Sequence, residues 1–336
     1  MDKGLFLIGL YLLFSFFSIG ISSKFKIPVL LLFLLLGILS GSEGLGGLYF
    51  DDNNLTYFIS TLALSVILFT GALETKVSTI KSVLVPSASL ATFGIVITTF
   101  LTGITAKIFL DFSYPEAFLF GAAVSSTDAA SVFSTLKSTK VKIDTKVRSI
   151  LEVESGSNDP MAYGLIVLFA SLIKSQNISG AGIFGSIFSF FGQVVIGALL
   201  GFLIGFVISF GLKKYKVKNL EAIVILLLST LFLSFSITEK LGGNGFLAIY
   251  ITGLVISNTT FELKKTATYF FGVFSWIMQI IMFIVLGLLV FPSNLKDIWV
   301  VGIIISLIMI FIIRPIAVFL RMLFIKKSAN EKLFIS

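Results

Sequence analysis

Apolar stretches long enough to cross a bilayer follow one another along almost the whole of this sequence, and that succession leaves few folds open. A hydrocarbon layer about 30 Å thick takes roughly 20 apolar residues as a helix, whose backbone N–H and C=O groups are satisfied inside the segment. Eleven such segments can be marked, at approximately 4–20, 25–40, 56–73, 83–106, 114–136, 149–173, 183–212, 219–238, 241–257, 268–291 and 298–325; the second and ninth are short. Hydrophobic residues make up 57% of the 336 and charged residues 12%, too little polar surface for a water-soluble body of this size. The expected fold class is an all-α polytopic membrane protein. Residues 4–20 lack a basic leader and a small-residue cleavage site, so they read as a first spanning helix rather than a signal peptide.

The loops orient the chain. Those on one side (21–26, 74–82, 137–148, 213–218, 258–267 and the tail) carry 19 Lys and Arg with their adjoining helix ends, and the other side carries 5. Basic residues stay on the cytoplasmic side, so the N-terminus is expected outside and the C-terminus inside. The net charge of +8 lies in these short loops and points to no nucleic acid. There is no Cys and no His, which excludes disulfides, thiol nucleophiles, haem and His-containing zinc or iron sites. Proton chemistry must then use carboxylates, Lys, Tyr or water.

Within this hydrocarbon pattern the acids stand out, because a charge inside a membrane is expensive and marks an ion or substrate path. Asp128 sits in the middle of the fifth segment, and Glu152, Glu154 and Asp159 near the start of the sixth. Gly121, Ser125, Ser126 and Thr127 surround Asp128 with weak helix formers and backbone-competing hydroxyls, a composition that favours a locally opened helix. On a helix Glu154 and Asn158 share one face, and Ser155 and Asp159 the next. Asp159 can then face an opening while Asn158 ties the sixth segment to the fifth. Pro160 removes an N–H beside Asp159 and is expected to loosen the segment. Arg314, isolated among Ile and Phe in the eleventh segment, needs an acid, and Glu154 is the candidate; the alternative is snorkelling to the inner headgroups.

Elsewhere the signals are those of packing. Thr70 and Gly71 suggest a close helix contact, as do Gly94, Gly103 and the glycines at 192, 197, 201 and 205 of the long seventh segment (183–212), which is expected to link two halves of the molecule. Gln279 is placed to satisfy a neighbour across the bundle. Glu74 lies near the inner surface, and Asp51 and Asp52 in an outer loop after the glycine-rich run at 41–47. GGNG at 242–245 breaks or starts the ninth segment.

The runs GAAVSSTDAASVFSTLK and LEVESGSNDPMA, with ILFTGALET and IIRP, resemble the monovalent cation/proton antiporter family, the electroneutral sodium or potassium/proton exchangers of bacterial NhaP type. The resemblance covers essentially the whole of 1–336. It implies a transmembrane antiporter fold with inverted repeats and broken crossing helices, a core at 114–173 holding the ion site, and a homodimer in the bacterial inner membrane. It also implies that Asp159 carries the cation or the proton, that Thr127, Asp128, Ser155 and Asn158 line or brace the site, and that Glu154 and Arg314 form a buried ion pair. Family members usually have thirteen helices. This sequence ends EKLFIS where relatives continue into a further Gly-Leu-Arg-Gly motif, so the expectation is a fragment or truncated product lacking two helices.

The chemistry such a site performs is competition: one carboxylate binds a cation or a proton, never both. With no His, Asp159 is the choice, and oxygens of Thr127, Ser155 and the Asp128 region replace the hydration shell of a monovalent cation. Asn158 is neutral, which leaves one exchangeable charge and implies electroneutral exchange of Na+ or K+ for H+ by alternating access, with no cofactor and with lipid as surroundings. The competing readings are an intramembrane enzyme using Asp128 and Asp159 as a dyad, a channel, and a truncated protein that does not transport. For the orientation, a tag at the C-terminus is expected to be protected in intact cells and exposed in everted vesicles; the reverse accessibility overturns it.

Overall fold

The computed structural model describes the chain apart from residues 1, 26, 76–86, 88, 128–144, 176–179, 216 and 323–336. The described residues are helical almost throughout. We number the helices α1 (Asp2–Phe25), α2 (Val29–Ser40), α3 (Asn53–Glu74), α4 (Ile95–Leu110), α5 (Tyr114–Ala123), α6 (Thr145–Ser175), α7 (Gly180–Tyr215), α8 (Leu220–Lys240), α9 (Gly245–Ser257), α10 (Lys264–Leu288), α11 (Trp299–Ile308) and α12 (Arg314–Met322). A π turn at Leu90–Gly94 leads into α4, and another at Met309–Ile313 joins α11 to α12.

Among the described residues seven helices are long and apolar enough to cross a membrane: Leu5–Ser22, Asn53–Glu74, Leu90–Leu110, Gly180–Tyr215, Leu220–Lys240, Lys264–Leu288 and Trp299–Leu320. The sequence had marked eleven segments, and the difference has physical causes. α2 and α9 are apolar but only 12 and 13 residues long. The fifth segment stops being helical at Ala123, and the sixth forms a 31-residue helix whose first half carries the acids and bases. Pro160 does not break that helix: α6 is helical on both sides of it, and what is lost is one N–H.

Helix ends follow local chemistry. α5 opens on a capping box, with the Ser113 N–H donating to Glu116 Oε2 at 2.9 Å and Pro115 in its first turn. Asn219 caps α8 by accepting from the Ala222 N–H at 2.9 Å, and Asn244 caps α9. Asp111, at φ 52°, stops α4 in the left-handed region.

The chain divides into two compact units. One draws its described residues from Met1–Ile67 and Tyr269–Ile298. Its core is α2 against α10: Val29, Leu30, Phe33, Ile280 and Ile284, with Trp276 set edge-on to Phe33 at 6.0 Å between centroids. The two backbones approach at Gly37 and Gly287, where a Cβ on either residue would lie 2.8 Å from the other's Cα. Beyond the C-terminal end of α2, the Ser293 hydroxyl and the Ser293 N–H, the latter at 2.6 Å from Oε2, donate to Glu43 and hold its exposed carboxyl below the usual carboxylate range. Among the described residues Gln279 meets Ser275, one turn back on its own helix, at 3.5 Å, rather than a neighbour across the bundle.

The other unit draws its described residues from Leu68–Thr127, Ile143–Thr268 and Trp299–Ser336. Ile95, Ala122, Ala162, Leu165, Leu168, Phe169, Leu172 and Phe190 form a core that joins α4, α5, α6 and α7. Gly121 lets α5 lie on α4, since a Cβ there would come 2.2 Å from the Thr99 carbonyl oxygen. Gly197, Gly201 and Gly205 make one small-residue row of the 36-residue α7, and α9 packs into it. Among the described residues nothing lies within 4 Å of a Cβ position at Gly192 or Gly71, so no described neighbour makes the close contact expected there. In the first unit, Gly287→Ala is expected to destabilise by about 1–3 kcal/mol through overpacking, and Gly9→Ala, which faces open space, by far less. Thermal unfolding of both variants in detergent checks the contrast.

Candidate functional site

The acids on α6 are sorted by what meets them. α6 runs from Thr145 through the cluster at 154–160, so Glu154 and Asn158 share a face. Glu154 is 1% exposed, and its Oε1 accepts from Arg314 Nη2 at 2.7 Å. Arg314 is delivered at the junction between the Met309–Ile313 π turn and α12, a local rewinding of the kind often found at functional sites. A buried pair of this kind is costly to break, because removing one partner strands the other.

One turn further along, α6 meets the end of α5. The helix stops at Ala123, and Val124 to Thr127 continue as turn and irregular backbone. The Ser125 hydroxyl turns back to the Ala122 carbonyl at 2.8 Å, the local competition that makes serine a poor helix interior residue. Beyond it, the Thr127 hydroxyl accepts from Asn158 Nδ2 at 2.7 Å. The Ser126 hydroxyl lies 2.9 Å from Asn158 Oδ1 and also donates to Asp159 Oδ1 in a very short contact. Asn158 is fully buried, and Asp159, Ser126, Thr127 and Ser155 are half-buried. A carboxylate, an amide and two hydroxyls from α6 and the frayed end of α5 thus converge on one spot.

Of the residues singled out in the sequence, Thr127, Asn158 and Asp159 come together, and Ser155 lies one turn before Asp159 on α6. Asp128 and residues 137–144 of the expected loop lie outside the described residues, and residues 145–148 open α6 instead of belonging to a loop. Ser126 is the residue the sequence did not single out from its neighbours. Adjacent hydroxyls outside a helix have no periodicity to say which points at the acid. Asn244 was also missed as a participant: its Nδ2 donates at 2.8 Å to the carbonyl of Pro160, beside Asp159.

The fold is that of an antiporter. The structure of the sodium proton antiporter MjNhaP1 from Methanocaldococcus jannaschii superposes with a TM-score of 0.83 over 99% of this chain and 81% of that one, at 23% identity. The chain belongs to the sodium/hydrogen exchanger transmembrane family, whose pattern matches residues 11–336. It is 39% identical over 340 residues to the K(+)/H(+) antiporter NhaP2 of Shewanella sp. (strain MR-4), covering 96% of this chain and 58% of that protein. It is 34% identical over 329 residues to the K(+)/H(+) antiporter NhaP of Alkalimonas amylolytica, covering 98% and 57%. The chain therefore spans little more than half the length of these relatives.

Arg314→Ala leaves the buried Glu154 carboxylate unpaired, and is expected to cost about 3–5 kcal/mol. Folded yield and thermal stability should both fall, read by size exclusion after heating. A variant as stable as the parent would show that the pair carries no such weight.

Proposed function

We propose that this chain forms the ion-carrying part of an antiporter that exchanges a monovalent cation, sodium or potassium, for protons, with Asp159 as the group that binds one or the other. The observation that carries the reading is the convergence of Asp159 and Asn158 on Ser126 and Thr127 at the open end of α5. A dehydrated alkali cation requires several oxygens at once. The Asp159 carboxylate, the hydroxyls of Thr127, Ser126 and Ser155, and backbone carbonyls freed where α5 ends supply such a set. Asp128 is assigned a supporting role at the same site.

Asn158 is neutral and Glu154 is matched by Arg314, so one exchangeable charge remains. One-for-one, electroneutral exchange follows, with the loaded site exposed to each side in turn. The relatives at 39% and 34% identity described above are potassium/proton antiporters by name, and MjNhaP1 is a sodium proton antiporter, which supports this substrate class. Family membership also favours exchange over peptide cleavage by an Asp128–Asp159 dyad. The family's architecture completes the proposal: inverted repeats with broken crossing helices, a homodimer, and a bacterial inner-membrane location with the N-terminus outside.

The test is pH-gradient dissipation in proteoliposomes on adding each salt, with the membrane potential clamped. Asp159→Asn keeps the size of the side chain and removes its charge. It should fold yet exchange neither sodium nor potassium, whereas Asp128→Asn should weaken exchange and leave a residue of it. Full exchange by D159N with an inactive D128N would move the role to Asp128.

A further inference from the structure

We infer that α9, through Asn244 and Tyr250, is the platform that fixes the turn of α6 carrying Asn158 and Asp159, and that both are positioning residues for cation binding; the inference rests on the exchange reading above. The argument starts at Pro160. Proline has no N–H, so the Gly156 carbonyl lacks its helical donor, and the turn that holds the site is one hydrogen bond short. A turn weakened in this way holds a carboxylate in place only if something outside the helix braces it.

α9 supplies the brace at both ends of that turn. Asn244 Nδ2 donates to the Pro160 carbonyl at 2.8 Å. The residue is 1% exposed, and its other polar groups are all committed. Its N–H donates to the Gln193 carbonyl on α7 at 2.9 Å, its Oδ1 accepts from the Leu247 N–H at 3.0 Å, and its carbonyl accepts from the Ala248 N–H at 3.1 Å. With its backbone held by two of these bonds and its side-chain amide making the other two, the amide has one orientation in which both of its bonds are made. At the other end of the turn, Tyr250 lies on Gly156: a Cβ there would fall 2.6 Å from its ring Cε2 and 2.9 Å from its hydroxyl. Tyr250 is 4% exposed, so its ring is enclosed on all sides. Between the two, Phe246 stands edge-on to Tyr163 of α6, with centroids 4.8 Å apart.

The stretch Gly156–Pro160 is therefore held from behind by α9 while Ser126 and Thr127 meet Asp159 and Asn158 in front. The gap between the Asp159 carboxylate and the hydroxyls is set by how far α9 pushes the turn forward, and cation sites are sensitive to displacements well below the width of an atom. Asn244 and Tyr250 never touch the ion in this account; they set the distance at which the oxygens face it.

Two substitutions separate positioning from mere support. Asn244→Ser keeps a favoured cap oxygen for α9 but is too short to reach Pro160. Gly156→Ala leaves α9 unchanged in sequence and drives the Tyr250 ring off the turn. In the proteoliposome assay each should raise the KM for the cation about tenfold, the worth of one hydrogen bond to binding, and leave the maximal rate within about twofold. Deuterium uptake at residues 156–164 should rise in N244S relative to the rest of α6. An unchanged KM in both variants, or a loss of folded protein with an unchanged KM in what survives, overturns the positioning role. If the parent exchanges no cation, the exchange reading itself has failed. Deuterium uptake then decides the brace alone: unchanged uptake at 156–164 in N244S overturns it, and raised uptake supports it.

Discussion

A carboxylate on a helix in an apolar layer has to be met by something polar, and the second unit is arranged around two different ways of meeting it. Glu154 is met by a full opposite charge that belongs to the chain, since Arg314 is delivered to it from α12 and both are enclosed. Such a pair is closed: removing either member strands the charge of the other. Asp159, five residues on, accepts from the Ser126 hydroxyl at the end of α5. The same helix thus carries two acids met in different ways, one by a guanidinium and one by a hydroxyl among its contacts. The π turn before Arg314 and the early stop of α5 are the local irregularities that bring these two partners to their places.

Much of this was legible in the sequence because it rests on short-range rules. Apolar runs set the helices, the isolation of Arg314 called for an acid, and the face shared by Glu154 and Asn158 followed from helical spacing. The stop in α5 followed from the Ser-Ser-Thr run, whose hydroxyls compete with the backbone, and the Ser125 bond to Ala122 shows that competition directly. The remainder depended on partners far away in the chain. Asn244 reads locally as the cap of a short helix, and its bond to Pro160 spans 84 residues. Gly71 and Gln279 carried the right composition for contacts they do not make among the described residues, because composition does not say which side of a helix its neighbour occupies. Pro160 was expected to loosen α6, and the helix passes through it with Asn244 holding the carbonyl beside Asp159.

The contact between α7 and α9 has a consequence for inheritance. At Gly197 an added Cβ would lie 2.7 Å from the Asn244 carbonyl oxygen, at Gly201 2.5 Å from that of Ala248, and at Gly205 2.9 Å from Val255 Cβ. The first two obstacles are backbone, which cannot rotate aside. Every single-base change in a glycine codon that alters the residue installs a Cβ. These positions therefore have no neighbouring codon that is both different in meaning and sterically harmless. A population carrying this gene meets a narrow ridge there: drift that passes unnoticed on the lipid-facing phenylalanines of α7 would, one residue away, push α9 off its seat.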